Sequence, residues 1–398
     1  MKRNVGLSPQ PTKRPRVVDN DAQIIVCSSG ENDHGQCGHG DTDRLVQSKQ
    51  INTTFTPKLV SSGFNHTCII TEDNEIYCCG ANESGQLGLG DYVDRNTLCK
   101  VDYNIPRNKR FDVASCNNHT ILLTSDGELH TCGENAYGQL CYTTEDTKSN
   151  VFARVPGFYN IVSATCGGNH TLFLTDSGEV FGSGHNCFGQ LGSGQQLNQT
   201  TPLKHAIDKK IIRMSTGFAH LIITTEDGKL YGSGLNHVVL NVGTITHYSS
   251  QVNTSHRPVS HLSDNNELYG SGSNEYGQLG LPSNVEFYRS MVRITLPTDA
   301  IIKNVFCHLS NSTAIMTNQN DIYMTGKNDE GQLGIGTTTD HDSFVPYRHP
   351  FGNGKVIIID MGRAHALFLI HPLFSRKPKM GGKLLRDEAF KDIKLILS

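Results

Sequence analysis

One eleven-residue pattern returns seven times along this chain, and no other feature narrows the possible folds as far. It reads GENDHGQCGHG at 30–40, GANESGQLGLG at 80–90, GENAYGQLCYT at 133–143 and GHNCFGQLGSG at 184–194. It weakens to GLNHVVLNVGT at 234–244 and returns as GSNEYGQLGLP at 272–282 and GKNDEGQLGIG at 326–336. The leading glycines are 50, 53, 51, 50, 38 and 54 residues apart. Repetition at such a period signals one supersecondary unit used many times, each copy unable to bury its apolar face alone.

A second module precedes the first. It reads FNHTCIITEDNEIYCCG at 64–80, NNHTILLTSDGELHTCG at 117–133, GNHTLFLTDSGEVFGSG at 168–184 and FAHLIITTEDGKLYGSG at 218–234. Divergent copies are RPVSHLSDNNELYGSG at 257–272 and NSTAIMTNQNDIYMTG at 311–326. Each is strand, tight turn, strand, with Gly or Asn taking the positive φ. With the turn and short strand of the first module, a unit holds about four strands, one propeller blade. The chain opens in mid-unit with AQIIVCSSG at 22–30 and ends on the missing strand, GRAHALFLI at 362–370. Pairing these two stretches would close the ring and leave no open sheet edge. The expected fold is therefore an all-β seven-bladed β-propeller over 21–372, closed by pairing of N- and C-terminal strands and monomeric. A basic tail (1–20) and an extension (373–398) flank it. WD-type propellers need a Trp-Asp pair and the chain has no Trp, while kelch repeats lack G-Q-L-G.

Charge is distributed unevenly. Residues 1–16 carry five Lys/Arg and no acid, and 376–398 hold seven Lys/Arg against three acids. The body between them carries 23 basic and 35 acidic residues, which suits a basic protein partner and not nucleic acid, except through the basic tail. No run approaches the ~20 apolar residues of a membrane span, and the N-terminus lacks the apolar segment of a secretory signal. The expected location is cytoplasmic, nuclear or both, with TKRPR at 12–16 similar to an import signal. Twelve cysteines without a C-x-x-C pair read as reduced, buried thiols acting as small apolar residues.

The repeated polar residues read as architecture. His66, His119, His170, His220 and His365 share one slot, which Ser312 also fills. On separate blades they cannot meet at the ~2.1 Å of a shared metal ion, so each imidazole is expected to tie a loop to backbone. Gly35, Gly85, Gly138, Gly189, Gly277 and Gly331 read as turn residues where a Cβ would clash. Gly270-Ser271-Gly272 is followed by Glu275 where a dinucleotide loop needs its third Gly, and no helix follows. With no nucleophile elbow, zinc-protease or kinase motif, the reading assigns no catalytic residue, no metal and no cofactor.

The G-x-N-x-x-G-Q-L-G core and the upstream G-x-x-H-T strand resemble the regulator of chromosome condensation (RCC1) repeat family over about residues 22–371. Two departures stand out. The residue before the leading Gly, often Trp in that family, is here Ser29, Cys79, Cys132, Ser183, Ser233, Ser271 or Thr325. Blade five carries Pro258 in the histidine slot and a remodelled loop at 235–256. The resemblance implies a protein-interaction scaffold, with guanine nucleotide exchange on a Ran-type small GTPase or chromatin association as alternatives. The family's exchange face uses the loop entering the repeat His, acidic side chains included. The candidate partner-facing residues there are Asn65, Asn118, Asn169, Arg257, Asn311 and Arg363, none acidic. A plant ultraviolet sensor in the family depends on clustered tryptophans, which are absent here. GGKLLRDEAFKDIKLIL at 381–397 is similar to the opening of a BTB/POZ domain, which would imply a ubiquitin-ligase link only if a full domain were present.

Overall fold

The computed structural model describes residues 23–103, 111–235, 252–254, 258–262, 267–297, 300–307, 310–352 and 354–372. The basic tail, the BTB-like extension, Arg257 and nearly all of the 235–256 loop lie outside the described residues. The chain opens with β1 (Ile25–Gly30) and β2 (Leu45–Ile51). Blade 1 is β3 (Pro57–Ser62), β4 (His66–Thr71), β5 (Ile76–Gly80) and β6 (Arg95–Lys100). Blade 2 is β7 (Phe111–Ser115), β8 (His119–Thr124), β9 (Leu129–Glu134) and β10 (Lys148–Arg154). Blade 3 is β11 (Ile161–Cys166), β12 (His170–Thr175), β13 (Val180–Gly184) and β14 (Gln199–Lys204). Blade 4 holds β15 (Ile211–Thr216), β16 (His220–Thr225) and β17 (Leu230–Gly234). Blade 5 is β18 (Val252–Thr254), β19 (Pro258–Leu262), β20 (Leu268–Ser273) and β21 (Phe287–Ile294). Blade 6 is β22 (Ile302–Phe306), β23 (Ser312–Thr317), β24 (Ile322–Gly326) and β25 (His341–Tyr347).

The seventh blade is built from both ends of the chain. Its strand order is β2, β1, β27 (His365–His371), β26 (Lys355–Met361), and Ile25 pairs with Ile370 while Gly30 pairs with His365. The inner strands follow one another around the axis, with β26 against β3 on one side and β22 on the other. The ring is a closed seven-bladed propeller, all antiparallel and without helix among the described residues.

Because each blade is sandwiched between two others, its second strand is covered on both faces. That is why HTCIIT, HTILLT and STAIMT are wholly buried and read as continuous runs, not alternating ones. The strand at the rim, RNTLCK in blade 1, stays half exposed.

The eleven-residue module is a turn held by its own amides. In blade 1 the buried Asn82 accepts the Leu87 amide through Oδ1 at 3.0 Å and donates through Nδ2 to the Asp91 carbonyl at 3.0 Å. Gln86 Oε1 accepts the Ser84 amide at 3.0 Å. Asn186 with Gln190 and Asn328 with Gln332 repeat the geometry. Such side-chain bonds satisfy backbone groups that a sharp turn leaves unpaired.

The turn glycines differ in what surrounds them. Gly85 has φ +82° and a Cβ there would lie 2.5 Å from Asn150 Cα in blade 2, whereas Gly189 has φ +76° and open space out to 4.0 Å. A Cβ would thus clash at Gly85 and meet open space at Gly189. Gly85→Ala is expected to cost about 2–3 kcal/mol, strain plus overpacking. Gly189→Ala should cost only about 1 kcal/mol, from the left-handed backbone alone. Urea melts of the two variants check the difference, and equal losses would refute the inter-blade contact.

The cysteine expectation needs one correction. Cys116 and Cys166 form a disulfide between blades 2 and 3, their Cα atoms 5.8 Å apart and 50 residues apart in sequence. They follow and end inner strands of neighbouring blades, a proximity that no local spacing encodes. Of the other ten, eight are buried, Cys99 is half-buried and Cys187 exposed. Burial pushes the Cys27 and Cys37 thiols up to about 12, which keeps them protonated.

Candidate functional site

The loops between first and second strands gather at one end of the ring, around its axis, and the repeat histidines anchor them. His66 Nε2 lies 2.9 Å from Thr120 Oγ1 in the next blade, and Thr120 donates its own proton to the Gln86 carbonyl at 2.7 Å. The hydroxyl therefore accepts from the ring. His119, Thr171 and Gln139 repeat this relay at 2.9 and 2.8 Å, and His365, Thr67 and Gln36 at 3.3 and 2.8 Å. In these three pairs a neighbouring threonine side chain meets the ring, and His365 also bonds to the backbone of His66. Burial lowers the pKa of His66, His119 and His170 to about 3 and that of His365 to about 4, so all four are neutral. His220 fills the same slot in blade 4.

The residue just before the histidine slot, filled by Ser312 in blade 6, spends its backbone on the fold. Carbonyls of Asn65, Asn118, Asn169 and Asn311 accept the amides of Ala81, Glu134, His185 and Lys327. Their side chains diverge in role. Asn118 Nδ2 donates to Glu134 Oε2 at 3.4 Å, and Asn169 Oδ1 accepts from Asn117 at 3.3 Å. Oδ1 of Asn65 and of Asn311 is buried without a hydrogen-bond partner.

A cavity of about 380 Å³ opens on this axial face, and its lining includes Glu31, Phe64, Phe218, Asn311, Lys327 and Arg363. Two of the sequence candidates, Asn311 and Arg363, meet there, whereas Asn65, Asn118 and Asn169 are not among its lining residues. Sequence reasoning missed Glu31, Phe64, Phe218 and Lys327. Phe64, Phe218 and Arg363 all stand two places before a repeat histidine, so reading that column would have found them.

The exposed Arg363 guanidinium stacks over Phe64 at 4.4 Å. Lys327 sits 5.2 Å from the Tyr276 ring and 3.0 Å from Asp329. Burial raises the Glu31 carboxyl, the Arg363 charge opposes that rise, and Glu31 Oε2 has no partner. The funnel thus presents two unpartnered acceptor atoms, on Glu31 and Asn311, in a lining that also holds the Lys327 and Arg363 cations.

The opposite face offers a contrast. A cavity of about 460 Å³ lies between blades 3 and 4, but its charges pair with each other, Lys204 with Glu179 at 2.6 Å and Lys209 with Asp227 at 2.7 Å. Among the described residues, one group of three metal-capable side chains converges, Cys116, His119 and Cys166, and it is not a ring of histidines.

Models of the regulator of chromosome condensation (RCC1) repeat match 58–86, 112–139 and 161–190 in one form and 73–123, 126–174, 177–223 and 319–369 in another. Together they span more than half of the chain. The ultraviolet-B receptor UVR8 of Arabidopsis thaliana is 29% identical over 340 residues, 80% of this chain and 76% of that protein. The secretion-regulating guanine nucleotide exchange factor of Mus musculus is 27% identical over 281 residues, 54% of this chain and 60% of that one. In solved structures the ring is similar to yeast RCC1 (Prp20) bound to Kap60, with TM-score 0.76 and 18% identity over 94% of this chain and 97% of that one. The repeat matches and the shared ring together place this chain in the RCC1 repeat family.

Proposed function

We propose that the protein is a non-catalytic interaction scaffold that seats a protein partner on the axial face. The observation that carries this reading is the funnel, where Glu31 Oε2 and Asn311 Oδ1 are buried acceptors with no donor. An unsatisfied buried acceptor costs about 1–3 kcal/mol, which a partner's ammonium, guanidinium or amide removes on entry. The acidic body favours a basic partner and speeds its approach. The setting proposed is cytosol or nucleus, with TKRPR as the entry signal.

Glu31→Lys places a like charge before such a partner and should weaken its capture about tenfold or more. Leu197→Ala, on the exposed rim of blade 3, should leave capture unchanged. Quantitative affinity purification with the full chain checks this, and equal yields from Glu31→Lys and the unaltered protein would reject the funnel as the seat.

A second reading is exchange activity on a Ran-type GTPase, favoured by the similarity to the mouse exchange factor. The described loop positions Asn65, Asn118, Asn169, Ala219, Asn311 and Ala364 carry no acid, which ranks it second. Release of a fluorescent nucleotide from Ran is expected at the intrinsic rate, and clear acceleration would reverse the order.

A further inference from the structure

The seam between blades 2 and 3 departs from the others at one position. Three residues before the repeat histidine the chain has Gly63, Gly167, Gly217 and Gly362, but Cys116 in blade 2. The slot is tight. At Gly167 a Cβ would fall 2.2 Å from His170 Cε1 and 2.8 Å from its Nδ1. A cysteine there therefore sets its side chain against the δ edge of its own histidine. Cys166 arrives from blade 3, one position earlier in its repeat, where blades 1 and 4 carry Ser62 and Thr216.

The hydrogen bonds fix the form of the His119 ring. Thr171 Oγ1 gives its proton to the Gln139 carbonyl at 2.8 Å and so accepts from His119 Nε2 at 2.9 Å. The ring proton sits on Nε2 and Nδ1 is a bare lone pair. That Nδ1 is buried without a hydrogen-bond partner, and His119 forms with the two sulfurs a group whose donor atoms are all within 4.8 Å of one another. An outer hydrogen bond that fixes the tautomer and orients the free nitrogen is the usual setting of a metal-ligating histidine. Two thiolates and an imidazole form a donor set for soft or borderline d¹⁰ cations and a poor one for magnesium or calcium.

We propose that Cys116, Cys166 and His119 Nδ1 bind one thiophilic d¹⁰ cation, zinc or copper(I), when the two cysteines are reduced. The Cys116–Cys166 disulfide is the metal-free, oxidised form of the same site. The exchange balances with a peroxide as oxidant. The two thiolates lose two electrons and form the S–S bond, the peroxide O–O bond takes those electrons and two protons to give two waters, and the cation leaves. His119 stays neutral throughout. The cation and the disulfide each join blades 2 and 3, so the seam is bridged in either redox state.

The test uses the full chain, reduced under anaerobic conditions and titrated separately with zinc, with cobalt(II) as its coloured substitute, and with copper(I) against a competing chelator. Cys116→Gly and Cys166→Thr serve as controls that fold, because each copies the residue that other blades carry. One equivalent of zinc or copper(I) is expected to bind, with about 100-fold or greater loss of affinity in either variant. Thiolate-to-cobalt charge transfer marks the zinc arm, and binding confined to copper(I) marks the other. Peroxide should release the metal and remove two titratable thiols from the unaltered chain but not from Cys116→Gly. Metal uptake equal in the unaltered chain and both variants would overturn the proposal, since other buried thiols would then be responsible. So would a disulfide that no reductant opens in the folded protein.

Discussion

Acidification from pH 7 to pH 4.5 is expected to remove roughly 8 kcal/mol of the ring's stability, enough to unfold a domain of ordinary stability. Four fully buried imidazoles drive it, His66, His119 and His170 with pKa about 3 and His365 with pKa about 4. In the unfolded chain each titrates near 6.5. Below that pH the unfolded state binds protons that the folded state refuses, so folding weakens as pH falls. The loss begins near pH 6.5, grows by up to about 1.4 kcal/mol per histidine per pH unit, and levels off only near pH 3–4. Asp112 works in the opposite direction, because burial raises its carboxyl to about 6 and its protonation recovers some stability over the same window. Urea midpoints at pH 7.5, 6 and 5 should fall steeply, and His66→Gln should flatten the slope by about a quarter. A midpoint independent of pH would show that these rings are charged or solvated in the fold.

Phe368→Ala is expected to cost about 3–5 kcal/mol, the usual penalty for emptying an aromatic site in a close-packed core. Phe368 is fully buried on β27 and stacks on Tyr347 of blade 6 at 4.4 Å. The Tyr347 hydroxyl donates to Ser48 Oγ on β2 at 2.9 Å. One side chain therefore supports the joined blade and its neighbour together. Phe173 is the control, fully buried on β12, equally large, and packed in the cluster between blades 2 and 3, away from the joined blade. Both alanine variants should lose similar free energy, but the loss at 368 should also raise hydrogen exchange at Ile25–Gly30, which pair with β27. Unchanged exchange in β1 would mean that the latch does not depend on this packing.

The fold was legible because its cause is local and repeated. A D-N or D-G turn, a buried second strand and a G-x-N-x-x-G-Q turn recur in order, and the half-repeats at 22–30 and 362–370 needed each other. The observed register, Ile25 with Ile370 to Gly30 with His365, falls within those stretches. The site was less legible. Asparagines at 65, 118 and 169 attract notice as a column, yet their carbonyls cap neighbouring amides. The funnel is shaped instead by unlike residues, Phe64, Phe218 and Arg363, in the column beside it. The Cys116–Cys166 contact lay beyond reach, because it depends on how adjacent blades splay around the axis and not on any spacing along the chain.

The histidine–threonine relay has a consequence for how the ring would give way. It runs from blade 7 through blade 1 and blade 2 into blade 3, and there it stops. Leu221 stands where His170 would find its hydroxyl, and Nε2 of His170 has no partner. Further round, Val259 and Ala366 also replace threonine, and Pro258 and Ser312 replace histidine. The relay thus rivets three of the seven seams, starting from the blade that holds the joint where the two chain ends meet, while other seams hold by different bonds, such as Thr165 to Thr216 and Thr313 to the Gln278 carbonyl. Thermal breathing should begin across the ring from that joint, among blades 4 to 6, so the place where the polypeptide is discontinuous is among the last to part.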